Sequence, residues 1–228
     1  MNKPKQLTFP WNKVNKSSML GFYTSRENDH LVSLLKDSNF LDDLFIYGTK
    51  QSGKTFLLQA MCNSYSSMCK SSLYVPLKKV MNYGVEIFES LENIDLICID
   101  GIEQVISKTE WEKEIFNLIN KSLISKSRLI LTSSKDLKSL SFSLPDLESR
   151  IKKIQSYELY PIDDKDIIDA LKYISQFKSI NLGDKEAKYL VTYSQRDISN
   201  LIQILESLDQ LSMEMKRKIT IPLIKEII

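Results

Sequence analysis

At 228 residues, with 43% hydrophobic and 26% charged residues, the chain can bury the core of one large domain or of a medium and a small one, as an ordinary globular protein does. No run approaches the ~18 apolar residues of a membrane span, and Met1–Gln6 leads into no apolar stretch of the kind a secretion signal carries, so a cytoplasmic protein is expected. A net charge of +2 makes no bulk electrostatic case for direct, sequence-specific DNA binding.

Residues 1–20 are polar and irregular, broken by Pro4 and Pro10, with isolated apolar residues at Leu7, Phe9 and Trp11. That is too little to fold alone, which predicts an extended arm. Asn28–Lys36 reads as a short helix with Leu31, Leu34 and Leu35 on one face. From Leu44 short β-rich runs alternate with helical periods. Strands are expected at Leu44–Tyr47, Ser72–Val75, Leu96–Ile99, Leu129–Thr132 and Ile154–Leu159. Helices are expected at Thr55–Ser67, with Leu57, Leu58 and Met61 inward, and at Trp111–Lys126, with Trp111, Ile115, Ile119 and Leu123 at successive turns. Such alternation means βαβ units and a mainly parallel, five-stranded sheet.

After Pro161 the pattern becomes helix upon helix. Asp163 and Asp164 can cap a helix that runs through Lys178 and carries Ile167, Ile168, Leu171 and Ile174. Asp184–Tyr193 follows, then Asp197–Leu211 with Ile198, Leu201, Ile202, Leu205 and Leu208 on one face, and a last helix from Thr220 to Ile228. The expected organisation is an arm over 1–20, an α/β domain over 21–160 and a small all-helical domain over 161–228. Cys62, Cys69 and Cys98 are odd in number and lack metal-ligand spacing, so free buried thiols are expected. The single histidine, His30, cannot build a multi-histidine metal site and reads as a surface residue near a helix start.

The chemistry concentrates in Gly48-Thr49-Lys50-Gln51-Ser52-Gly53-Lys54-Thr55, which fits G-x-x-x-x-G-K-[ST] at every fixed position. Glycines let successive backbone N–H groups turn toward one anion, Lys54 reaches the β/γ-phosphates, and the Thr55 hydroxyl is placed to ligate Mg²⁺. The helix that follows points its positive end at the phosphates. A β-rich run before the motif and a helical period after it are the context it needs. Asp100 ends the Leu96–Ile99 apolar run, where the Mg²⁺-site (Walker-B) carboxylate of a P-loop protein belongs.

Leu96-Ile97-Cys98-Ile99-Asp100-Gly101-Ile102-Glu103, the helix with Trp111 and Phe116, and Leu144-Pro145-Asp146-Leu147-Glu148-Ser149-Arg150 together resemble the DnaA/Hda family of AAA+ ATPases. The resemblance is closer to the regulatory inactivators of that family than to its initiators. It runs from Gln6 to Ile228 and includes the ending Arg217-Lys218-Ile219-Thr220-Ile221-Pro222-Leu223-Ile224-Lys225-Glu226-Ile227. It implies an AAA+ P-loop module followed by a helical lid, with ADP or ATP and Mg²⁺ as ligands. It also implies a regulator of replication initiation that sits on the DNA polymerase sliding clamp and stimulates ATP hydrolysis by DnaA. Initiators continue into a DNA-binding helix-turn-helix domain, whereas this chain stops where the lid ends, and that favours the inactivator.

By the same resemblance, Gln6-Leu7-Thr8-Phe9-Pro10 looks like a clamp-binding motif, in which Gln6 enters a small polar pocket while Leu7 and Phe9 fill an apolar one. On its residues alone it reads equally as a terminus with a few apolar side chains. Arg150 takes the place of the arginine finger that contacts a neighbouring subunit's γ-phosphate, although an ordinary helical surface arginine beside Glu148 has the same sequence signature. Sensor 1 falls at Thr132-Ser133-Ser134, with Ser133 and Ser134 as its candidates. The sensor-2 arginine aligns with Ser199, leaving Arg196, one turn earlier, as its substitute. Phe22, Tyr23 and Asn28 are placed either to line an adenine pocket or to serve the core.

Two departures stand out. Gly101 occupies the position where many active AAA+ ATPases carry a second acid, and Glu103 is displaced along the chain. Slow intrinsic hydrolysis is therefore expected. Homo-oligomerisation stays open, and two rivals remain: a DnaA-like loader ATPase for a replicative helicase or transposase, and a metabolic P-loop kinase.

Overall fold

The computed structural model describes residues 17–88, 91, 93–125 and 127–228. A helical turn at Met19–Gly21 and another at Arg26–Asn28 lead into α1 (Asp29–Lys36). Then come β1 (Leu44–Tyr47), α2 (Lys54–Ser67), β2 (Ser72–Pro76), α3 (Leu77–Val80), β3 (Leu96–Asp100), α4 (Thr109–Ser125), β4 (Arg128–Ser133), α5 (Pro145–Ile151) and β5 (Gln155–Glu158). Four helices close the chain: α6 (Ile167–Phe177), α7 (Asp184–Tyr193), α8 (Ile198–Met215) and α9 (Ile221–Lys225).

The five strands form one parallel sheet in the order β2-β3-β4-β1-β5. Side chains alternate across a strand, and the two faces bury different sets. Leu44 and Ile46 join Leu96, Cys98 and Ile130 against α1 and α2. Phe45 joins Ile97, Ile99, Leu129 and Leu131 against α4. Strands covered on both faces read as unbroken apolar runs, which is why β3 and β4 are legible in the sequence. The edge strand β5 is mostly exposed and polar. A third apolar cluster is built from α6 to α9, including Leu171, Leu190, Leu201, Leu205 and Ile224. The AAA+ arrangement of a parallel sheet followed by a helical lid is thus present.

Several expected details change. β3 includes Asp100 rather than stopping before it, and β5 is shorter than Ile154–Leu159. In α4 the inward stripe is Trp111, Ile115, Leu118, Ile119 and Ser122, while Leu123 is 57% exposed. Each four-residue step overshoots a full helical turn by about 40°, so by Leu123 the stripe has rotated to solvent. α6 begins after Asp166, and Asp163 and Asp164 instead pair with Lys165 and Arg196. α8 extends to Met215, whereas α9 ends at Lys225 rather than Ile228. Of the cysteines only Cys98 is buried; Cys62 is half-buried and Cys69 exposed. His30 is exposed and lies against the Tyr157 ring. No helix among the described residues is long and apolar enough to cross a membrane.

Candidate nucleotide site

β1 lies between β4 and β5, although the chain goes from β1 to the far edge strand β2 before returning. The loop after β1 therefore opens at a switch point of the sheet, where α/β folds place ligands at the carboxyl ends of their strands. Residues 48–55 occupy this position. The Gly48 N–H donates to the Ser133 carbonyl (3.2 Å), and a Cβ at Gly48 would lie 2.3 Å from the Leu159 carbonyl oxygen, so only glycine fits. Gln51 (φ 69°) and Gly53 (φ 101°) turn the loop through left-handed conformations.

Lys54 opens α2 and folds back over the loop. Its Nζ donates to the Gly48 carbonyl (2.6 Å), the Thr49 carbonyl (2.7 Å) and Ser52 Oγ (3.2 Å). Burial holds its pKa below the usual lysine value, against an upward pull from the charges of Asp100 and Glu103. A cation ringed by loop oxygens and desolvated in this way is suited to a phosphate, which would supply full counter-charge.

Three elements converge on Asp100. Its Oδ2 accepts the Thr55 hydroxyl from α2 (2.7 Å) and the Tyr74 hydroxyl from β2 (2.8 Å), while Oδ1 accepts the Thr132 hydroxyl from β4 (2.8 Å). Burial, with the Asp100 charge next, pushes the Tyr74 phenol well above its usual pKa, so it stays a donor. Thr55 and Asp100 thus offer a hydroxyl and one carboxylate side by side. Mg²⁺ takes few protein oxygens and completes its shell with water and substrate phosphates, so these residues fit it. A dedicated protein cage is a different arrangement, and no group of three or more His, Cys, Asp or Glu among the described residues could form one.

Beyond the loop a cavity of about 870 Å³ extends between the sheet and the helical region. Ser134 lines it and Ser133 does not. Thr132 and Ser134 lie on one face of β4 and its extension. Ser134 binds Glu103 through both its N–H (3.2 Å) and its hydroxyl (2.6 Å), whereas Ser133 is buried and its Oγ accepts the Lys135 N–H. Of the sensor-1 candidates, then, only Ser134 faces the cavity.

Phe22 packs over Gly53 and against Phe56, and Tyr23 meets Tyr173 of α6 edge-on. Both line the cavity. Asn28 also reaches it, but its amide is consumed in pinning Tyr160, donating to the carbonyl and accepting from the N–H (2.9 Å each). From the lid, Ser199 and Ile202 line the cavity. Arg196 does not; it is exposed and lies 3.7 Å from Asp164. The structure thus pairs it with Asp164 and does not place it among the residues of the P-loop cavity. In its place Gln51 Nε2 donates to Asp197 Oδ2 (2.8 Å), linking loop and lid.

Arg150, in the last turn of α5, does not line the cavity either. One residue that positions it escaped the sequence analysis. Glu112 of α4 is fully buried, and its carboxylate accepts the N–H groups of Ser107 (2.9 Å), Ser143 (3.1 Å) and Leu144 (2.8 Å), clamping the start of α5. Glutamate in an amphipathic helix gives no sign of such a clamp. Tyr74 was missed for a similar reason, since its partner Asp100 lies on another strand. The expected motif Gln6–Pro10 lies outside the described residues.

Residues 163–228 match the family of the Hda lid domain, and residues 43–168 match the AAA domain family. An uncharacterized protein of Haemophilus influenzae is 35% identical over 227 residues, covering 98% of each chain. Domain III of the Thermotoga maritima replication initiation protein DnaA is similar in structure, with a TM-score of 0.75 and 19% identity, covering 94% of this chain and 98% of that one. AMPPCP-bound DnaA from Aquifex aeolicus gives a TM-score of 0.67 at 21% identity, covering 87% of this chain and 68% of that one. At these identities the solved structures establish the shared fold. Together with the two family matches, they show that the chain belongs to the AAA domain family as a DnaA/Hda-like AAA+ protein.

Proposed function

We propose that this protein is a nucleotide-bound, sliding-clamp-tethered regulator that stimulates ATP hydrolysis by DnaA and so shuts down replication initiation. The observation that carries this reading is the joining of an Hda lid domain to a DnaA-like AAA+ module. ADP or ATP binds at residues 48–55, with the Lys54 ammonium and the loop N–H groups on the phosphates. Thr55 and Asp100 hold Mg²⁺, which supplies charge to the phosphate oxygens. Phe22, beside Gly53 of the loop, and Tyr23 offer aromatic faces to the cavity. Bound nucleotide bridges the sheet and the lid and so fixes the surface presented to a partner.

Arg150 acts in trans. A positioned guanidinium stabilises charge on a transferring phosphoryl group, and Arg150, in the last turn of α5, is not among the residues lining the cavity beside its own P-loop. Gln6–Pro10 tethers the chain to the clamp, which couples passage of the replication machinery to inactivation of DnaA. The test is saturable binding of the full chain to the cognate clamp, with Gln6→Ala/Leu7→Ala as control, followed by DnaA-bound ATP hydrolysis with wild type and Arg150→Ala. The expected result is that the Gln6→Ala/Leu7→Ala variant loses clamp binding, whereas Arg150→Ala keeps clamp binding and loses stimulation. Absence of clamp binding, together with DNA-stimulated hydrolysis by the chain itself, would favour the loader instead.

A further inference from the structure

The Glu103 carboxylate is half used. Ser134 supplies two hydrogen bonds to Oε1, whereas Oε2 is closed off from bulk solvent with no hydrogen-bond partner among the described residues. Two other side-chain atoms share that condition, on Ser25 and Arg128, and neither residue lines the cavity. Glu103 does, alongside Asp100 and Lys54, and its charge is felt at Lys54. A buried acceptor left without a partner implies a ligand or water that completes it.

The position of this oxygen adds a second observation. Gly101 carries no side chain where a P-loop protein of this class can carry a second acid. A Cβ built there would lie 4.0 Å from Glu103 Oε2, in ordinary van der Waals contact. Gly101 itself, at φ 83°, begins a tight helical turn over Ile102–Val105 that brings the Glu103 side chain back toward β3. The carboxylate thus sits against the space from which a side chain at 101 would extend, and Ser134 holds it there.

We propose that Glu103 is the catalytic acid–base residue of this site: it orients the attacking water and accepts its proton, in place of the side chain absent at Gly101. The inference rests on the nucleotide-binding reading above. In the step, a bond forms between the water oxygen and the γ-phosphorus while the bond from that phosphorus to the β–γ bridging oxygen breaks. One water proton passes to Glu103 and then to the released phosphate. No electrons are exchanged. Reaching the reaction from two residues further along the chain, through a carboxylate already committed to Ser134, also accounts for the slow turnover expected of this sequence.

The test uses the full chain with ATP and Mg²⁺. Glu103→Gln keeps an oxygen for the two Ser134 bonds and removes only the basic Oε2. Expected are unchanged affinity for a fluorescent ATP analogue, an unchanged melting temperature and single-turnover hydrolysis reduced about a hundredfold. After incubation and desalting, this variant should retain ATP where wild type holds ADP. Hydrolysis by Glu103→Gln at the wild-type rate overturns the proposal, as does a wild type that binds ATP and never hydrolyses it. Failure of wild type to bind ATP removes the nucleotide reading itself, which is a separate outcome. If Glu103→Gln is unstable, Glu103→Asp carries the test: retracting the carboxylate by one methylene should cost about tenfold in turnover, and wild-type turnover overturns the proposal.

Discussion

Gln51 in the P-loop donates to Asp197 Oδ2 at 2.8 Å, while Asp197 Oδ1 caps the first turn of α8 through the Ser199 N–H (3.0 Å). One carboxylate therefore both starts the longest lid helix and ties it to the phosphate loop. This residue joins the loop to the lid, with Gln51 held at a left-handed φ of 69°.

Asp197→Ala removes both bonds. The lost cap should destabilise the protein by about 1 kcal/mol, and the lost tie should weaken nucleotide affinity several-fold. Chemical denaturation and nucleotide titration separate the two effects. An affinity equal to wild type would mean that the tie plays no part in binding.

Lys54→Ala removes the cation from the centre of the loop. Nucleotide affinity should fall by at least tenfold, which is about 1.4 kcal/mol, with little change in stability because the lysine's hydrogen bonds stay within its own loop. Equilibrium titration with ADP and ATP checks it, and an unchanged affinity would remove the P-loop assignment.

Glu112→Ala leaves three backbone N–H groups without their shared acceptor. Buried donors that lose a charged partner are costly, so a loss of roughly 3 kcal/mol or more is expected from denaturant midpoints. Since the clamp sets the start of α5, stimulation of DnaA through Arg150 should fall as well, while nucleotide affinity holds. A neutral Glu112→Ala would sink the clamp.

Asp43 gives a pH dependence of defined sign. Burial raises its pKa above the model-peptide 3.8, partly opposed by the Leu129 N–H bond and by Arg128. The folded state then binds the proton more tightly than the unfolded chain, so this group's contribution to stability falls as pH rises from about 3.8 through the raised value. Asp43→Asn keeps an oxygen for Leu129 and cannot ionise. Its stability relative to wild type should therefore improve between pH 3 and pH 7, measured by thermal melts across that range. A relative stability that declines over the range would reverse the assignment.

The sequence by itself determined the element types of the sheet, because strands buried on both faces must be largely apolar, as Leu96–Ile99 and Leu129–Leu131 are. It also determined the phosphate loop, because Gly48, Gly53, Lys54 and Thr55 meet requirements that act within eight residues of chain. Asp100 was legible as the end of a buried strand. Tertiary structure alone decided which side chains meet across elements. Whether Ser133 or Ser134 faces the cavity depends on the register of β4 beside β1 and β3. Arg196 meets Asp164, 32 residues earlier in the chain, rather than lining the cavity. The partners of Asp100, Glu103, Glu112 and Asp197 lie between 31 and 146 residues away in most cases, and a one-dimensional pattern carries no record of such separations. They are fixed only when packing brings a buried carboxylate and a donor together, since neither can be left unpaired without cost.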